Sequence, residues 1–165
     1  MSLWFMLLLE VTIVAYAVVG GVVIAFSDFI MRSLAQTNHG DRTMQVINRE
    51  VFRWVFMTLF IGLAPVSLGI AAYGMLVMGG VAGKLIMLAG LTYLIGCFGV
   101  TIWRNVPMNN ALANLEAGTR AATTYWEETY VPRWTFWNSV RATACIAAAA
   151  LLLIANVWSA YLLLG

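Results

Sequence analysis

The chain has 165 residues, 62% hydrophobic and only 10% charged, with a net charge of +2, and its mean hydropathy is +0.88. Soluble domains are about a quarter charged, so the composition excludes a water-soluble globule and indicates an integral membrane protein. The few positive charges form no dense run, which leaves nucleic acid out as a partner and membrane lipid in.

A hydrocarbon core about 30 Å thick needs roughly 20 apolar residues per helical span. Four runs qualify, at 3–31, 54–78, 83–103 and 138–163. They predict an all-α fold, a four-helix transmembrane bundle that forms one domain over residues 1–165. The runs are continuous rather than alternating, which disfavours strands.

The first run opens MSLWFMLLLE. It lacks a basic leader and a small-residue cleavage site, so it predicts an uncleaved span rather than a signal peptide. It holds Glu10 and Asp28, five whole turns and roughly 27 Å apart. Ala17 and Gly21 share their face, which is expected to point into the bundle. Ionisable groups inside a span are costly, so Asp28 is a candidate for chemistry; the alternative is an i,i+4 pair with Arg32.

The first loop contains DRTMQVINREVF, an amphipathic helix with Met44, Ile47, Val51 and Phe52 on one face and Arg42, Arg49 and Glu50 away from it. His39, the only histidine, sits in the turn TNHGD. A two-histidine haem site within one chain is thereby excluded, whereas a single axial ligand or a site shared between chains stays open.

The second and third spans are joined by a short glycine turn. After the third comes TIWRNVPMNNAL, residues 101–112. Pro107 removes a backbone donor and frees the carbonyl of Trp103, so Asn105 is expected to repair the ladder. Asn109 and Asn110 remain, and paired amides suit a neutral or partly anionic oxygen group.

The last connection carries Trp126, Tyr130, Trp134 and Trp137 at steps of four, four and three. Pro132 is expected to break that helix and start the final span. The aromatic residues fit an interfacial belt, and equally the wall of a pocket for a flat ring. Asn138 and Arg141 follow, with Arg141 one turn inside the span. It either snorkels outward or turns inward to hold a carboxylate or a developing oxyanion. Cys97 and Cys145 read as free, buried thiols, and nothing has metal-ligand spacing, so no metal site is expected.

Of the nine Lys and Arg residues, all but Lys84 fall in or beside the first and third connections. This predicts that both long loops are cytoplasmic and both termini outside. Asp28, Asn105 and Arg141 then lie at one level, at the cytoplasmic ends of three spans.

The segments GGVVIAFSDFIMRSLA, MQVINREVF, GVTIWRNVPMNNALA and YWEETYVPRWTFWNSVRATACIAAAALL resemble the anthrone oxygenase-like family of small four-helix membrane proteins. The resemblance runs nearly the length of the chain and in order. It implies oxidation of a flat, lipophilic phenolic or anthrone-type substrate by dioxygen without a cofactor, in the inner membrane of a bacterium. Such chemistry needs a base, oxyanion donors and a dry cavity. The resemblance assigns Asn105, Asn109, Asn110, Trp137, Asn138 and Arg141 to the family motif, and matches Asn48 and Asp28 to polar positions near the first loop. Asp28, Arg141 and Asn109 are thus the catalytic candidates. Asn48, Asn105, Asn110, Trp126, Tyr130, Trp134, Trp137 and Asn138 are the candidates for substrate binding. Where members often have W-N-H-x-R, this chain has Ser139; if that histidine is the base, Asp28 would have to replace it. Two other readings stand beside this one: a non-catalytic subunit of a larger membrane complex or a homo-oligomer, and a haem or pigment binder.

Overall fold

The structure, a computed structural model, describes residues 2–51, 53 and 55–164, with side chains as far as Tyr161. Its elements are five helices: α1 (Leu3–Ala35), α2 (Gly40–Glu50), α3 (Val55–Met78), α4 (Gly80–Ala113) and α5 (Arg120–Tyr161). No strand occurs among the described residues. The four helices other than α2 are each long and apolar enough to cross a membrane. They alternate in direction, which gathers the end of α1, all of α2, the start of α3, the end of α4 and the start of α5 at one arginine-rich end. At the opposite end Gly79 and Gly80 adopt φ of 61° and 60°. Residues with a Cβ rarely take that conformation, so the glycines allow α3 to fold directly back into α4.

The long helices run past the spans expected from hydropathy. Pro132 does not interrupt α5, contrary to expectation: the helix widens into one π turn over Trp126–Tyr130 and continues. Pro107 is accommodated in the same way, by a π turn over Thr101–Asn105. A proline ring clashes with the carbonyl four residues back and removes one donor; a widened turn just before it relieves both faults.

The bundle centre is filled by Leu9, Tyr16, Val19, Ile86, Tyr93, Ala148 and Leu152. Tyr16 and Tyr93 stack with ring centroids 4.8 Å apart. Their hydroxyls are satisfied internally, Tyr16 with Ser67 Oγ at 2.6 Å and Tyr93 donating to the Phe60 carbonyl at 2.8 Å. Unpaired, each would carry a large cost in this apolar setting.

The expectation for α1 is corrected. Its buried face is Leu9, Thr12, Tyr16, Val19, Gly20 and Val23, whereas Glu10, Ala17, Gly21 and Asp28 all face outward. The larger side chains occupy the interior, and the one glycine that α1 needs against its neighbour is Gly20. A Cβ there would come 3.0 Å from that of Cys145, while one on Gly21 would meet open space.

A second, smaller core sits at the arginine-rich end, where Met31, Met44, Leu112, Trp126, Tyr130 and Trp134 pack together. It docks α2 across the bundle mouth. Met44 is buried, Ile47 and Val51 are half-buried, and Arg42, Arg49 and Glu50 are exposed, as the amphipathic pattern predicts; Phe52 lies outside the described residues. Gln45 fixes the far side of α2 by donating to the carbonyls of Leu112 and Leu115 at 2.8 and 2.9 Å.

Candidate functional site

Between the two cores lies a cavity of about 90 Å³, room for about three waters at their liquid volume. All five helices contribute to it. Most of its wall is apolar, including Val23, Phe26, Met44, Phe56 and Phe60, and its polar side chains are Asn48, Thr101, Asn105, Asn109, Asn138 and Arg141. Few polar groups on a largely apolar wall is the usual make-up of a small-molecule site.

Arg141 is 7% exposed. The ion pairs found among the described residues are Arg32–Asp28 and Arg53–Glu50, both on the surface, so this buried guanidinium has no carboxylate beside it there. Its Nη1 donates to Asn138 Oδ1 at 3.2 Å, its guanidinium carbon lies 5.9 Å from the centre of the Phe60 ring, and its Nε meets no partner. Asn138, 1% exposed, is held in turn by α1, because its Nδ2 donates to the Val23 carbonyl at 2.6 Å and to Ser27 Oγ at 2.8 Å. Asn138 therefore ties two helices together and aims Arg141.

Asn105 is equally buried. It does not mend its own helix, as the sequence suggested: its Nδ2 reaches the Trp134 carbonyl on α5, at a long 3.4 Å, and its Oδ1 is left without a partner. The π turn before Pro107 already performs the repair. Thr101 stays local, donating to the Cys97 carbonyl at 2.7 Å.

Asn109 anchors an aromatic wall. Its Oδ1 accepts from Tyr130 Oη at 2.7 Å and from Trp134 Nε1 at 2.8 Å, and Asn48 Nδ2 donates to Tyr130 Oη at 3.2 Å. An indole N–H only donates, so this contact fixes which end of the Asn109 amide faces it. Trp126, Tyr130 and Trp134 form a ladder, with centroids 5.4 and 5.9 Å apart and near-parallel planes.

Five sequence candidates do not line the cavity: Trp126 and Tyr130 pack in the smaller core behind Trp134, and three lie elsewhere. Asp28 is on the surface, paired with Arg32 Nη2 at 2.7 Å and 66% exposed. Asn110 is exposed. Trp137 stacks under Arg104 at 4.7 Å on the outer face. His39 is also exposed, before α2. The cavity lining therefore contains neither a carboxylate nor an imidazole. Conversely, Phe56, Met57 and Phe60 of α3 line the cavity, and no signal in their apolar run set them apart.

Residues 51–151 match the family model described as anthrone oxygenase. The chain belongs to the anthrone oxygenase family. The match covers α3, α4 and most of α5, and with them Asn105, Asn109, Trp134, Asn138 and Arg141. The α1 and α2 walls of the cavity fall outside it. No curated protein and no solved structure matches the chain.

Position 139, where family members often carry histidine, is exposed here on the seam between α5 and α1. Ser139 Oγ lies 2.9 Å from the Thr135 carbonyl and 3.0 Å from Ser27 Oγ. A side chain at that position points away from the cavity, so Ser139 takes no base out of it.

Proposed function

We propose that this protein is an oxygenase-like membrane enzyme that binds a flat, lipophilic phenol or anthrone as its anion and delivers it to dioxygen. The observation that carries this reading is Arg141: buried, without a carboxylate beside it, and lining an apolar cavity. A guanidinium so placed favours an anionic ligand strongly, because little solvent competes for the charge.

The chemistry follows from the ligand. An anthrone in its ionised form is electron-rich. Three fused rings need more than the about 90 Å³ present, so the apolar wall parts to admit them. Arg141 and the Nδ2 of Asn109 then hold the anion's oxygen, Asn105 Oδ1 accepts from a neighbouring hydroxyl, and the reacting ring lies against Trp134 and Phe60. The anion passes an electron to dioxygen, the two radicals join as a hydroperoxide, and loss of water leaves a second carbonyl. Anthrone plus dioxygen gives quinone plus water, so the electrons balance without a cofactor. With no carboxylate or imidazole on the wall, Arg141 selects and stabilises the substrate anion, and the proton leaves through solvent. This replaces the role that the sequence suggested for Asp28.

The test is quinone formation and dioxygen uptake by the purified protein with a model anthrone, measured against spontaneous autoxidation and against Arg141→Met. A rate no higher than autoxidation rejects the enzyme reading. The positive-inside asymmetry supports placing the cavity end in the cytoplasm, which accessibility of single introduced cysteines to an impermeant reagent would test.

A second reading, association with another membrane subunit or a second copy, is favoured by the outward-facing Glu10, Ala17 and Gly21. A carboxylate facing lipid is costly, and small residues permit close helix contact. Loss of a native complex on Gly21→Leu, with the monomer still folded, would support it; a wild-type protein that is monomeric under mild extraction would reject it.

A further inference from the structure

Cys97 and Cys145 are both fully buried free thiols, and their sulfurs are 3.2 Å apart. They join α4 to α5 where those helices pack tightly. A Cβ on Gly96 would come 2.6 Å from that of Ala144, the residue before Cys145. Two small neighbours thus bring the backbones near enough for a side-chain link of cystine dimensions. Moving the sulfurs to the bond length of about 2.05 Å requires roughly 1 Å of approach. One helical turn from Cys145, and beside Cys97, stands Arg141, which lines the cavity. A cation beside a thiol favours its acting as a nucleophile. Because both thiols are fully buried and outside the cavity lining, an oxidant meets them only when α4 and α5 part at this end.

We propose that Cys97 and Cys145 are a redox-active pair that closes to an intramolecular disulfide by reducing a membrane-soluble hydroperoxide reaching the Arg141 end of the cavity. The Cys97 thiol, beside Arg141, attacks the peroxide bond, taking an oxygen as sulfenic acid and releasing an alcohol. The Cys145 thiol then displaces water and forms the S–S bond. Two thiols and one hydroperoxide give one disulfide, one alcohol and one water. The pair would act in this way whether or not the cavity oxidises a phenol. Its product is a covalent link between α4 and α5 directly behind Arg141.

The experiment treats the full chain, in detergent micelles, with tert-butyl hydroperoxide, then unfolds it and labels free thiols with N-ethylmaleimide. The expected result is joint loss of both labels, an intact mass lower by two hydrogens, a peptide joining residue 97 to 145, and recovery with dithiothreitol. In Cys97→Ser, loss of the Cys145 label should slow at least tenfold. Full labelling after oxidant, oxidation of either sulfur without a link, a link between chains, or an unchanged Cys145 rate in Cys97→Ser would each overturn the proposal.

Discussion

Arg141 and Asn138 stand three residues apart on α5, and the hydrogen bond between them, 3.2 Å from Nη1 to Oδ1, ties the guanidinium to its neighbour on the same helix. Asn138 in turn grips the α1 backbone at Val23. The buried cation is therefore aimed by a helix that lies outside the family match, and the cavity depends on how α1 packs as much as on the motif in α5.

Arg141→Met should lower the rate of quinone formation about 100-fold or more, the usual loss when an oxyanion-stabilising group is removed. It should not destabilise the fold, because taking an unpaired charge out of an apolar interior is neutral or favourable. Turnover and thermal unfolding, measured on the same preparation, separate the two effects. A variant that unfolds while the wild type stands would give Arg141 a structural role.

Turnover should rise with pH until the substrate is fully ionised. The sign is that of a reaction running on the deprotonated substrate, and arginine keeps its charge across the whole range. Arg141→Met should move the apparent midpoint upward, toward that of the free substrate. A falling limb near neutral pH in the wild type would instead reveal a protein group that must stay protonated.

Asn109→Ala should cost about 2–4 kcal/mol of stability, because the buried N–H of Trp134 and O–H of Tyr130 both lose their acceptor. Tryptophan emission and the unfolding midpoint would register it. An Asn109→Ala protein as stable as wild type would mean that neither donor depends on this acceptor.

Two changes should matter little. Asp28→Asn removes an exposed ion pair worth at most about 1 kcal/mol, and Ser139→His adds an imidazole on the outer seam. Each is expected to keep turnover within about twofold of wild type. A tenfold change in either would bring a protein base into the reaction.

Asn138→Ala should act on both properties. It releases the α1 backbone at Val23, which costs about 1–3 kcal/mol, and it frees Arg141 to move. Asn138→Gln should not restore the rate, since the longer side chain displaces the guanidinium. Rescue by Gln would show that the amide serves only as a helix tie.

What the sequence by itself determined was set by solvent. Apolar runs long enough to span a bilayer gave four helices, and the amphipathic period placed Met44 and Ile47 inward, because burial depends on chemistry that each residue carries with it. The polarity of Arg141 and Asn109 stood out for the same reason, since a polar group at the edge of an apolar run must find a partner or a ligand, but whether Arg141 snorkels or turns inward did not. Direction was not legible. The small, acidic stripe of α1 reads as inward, and packing decided otherwise: Tyr16 and Leu9 take the interior and send Asp28 to the surface. The prolines were misleading in the same way, since a π turn that keeps a helix continuous is chosen by its neighbours. The meeting of Cys97 with Cys145, 48 residues apart, and of Asn138 with Val23 belongs wholly to tertiary structure, because no local pattern encodes which faces of two helices will touch.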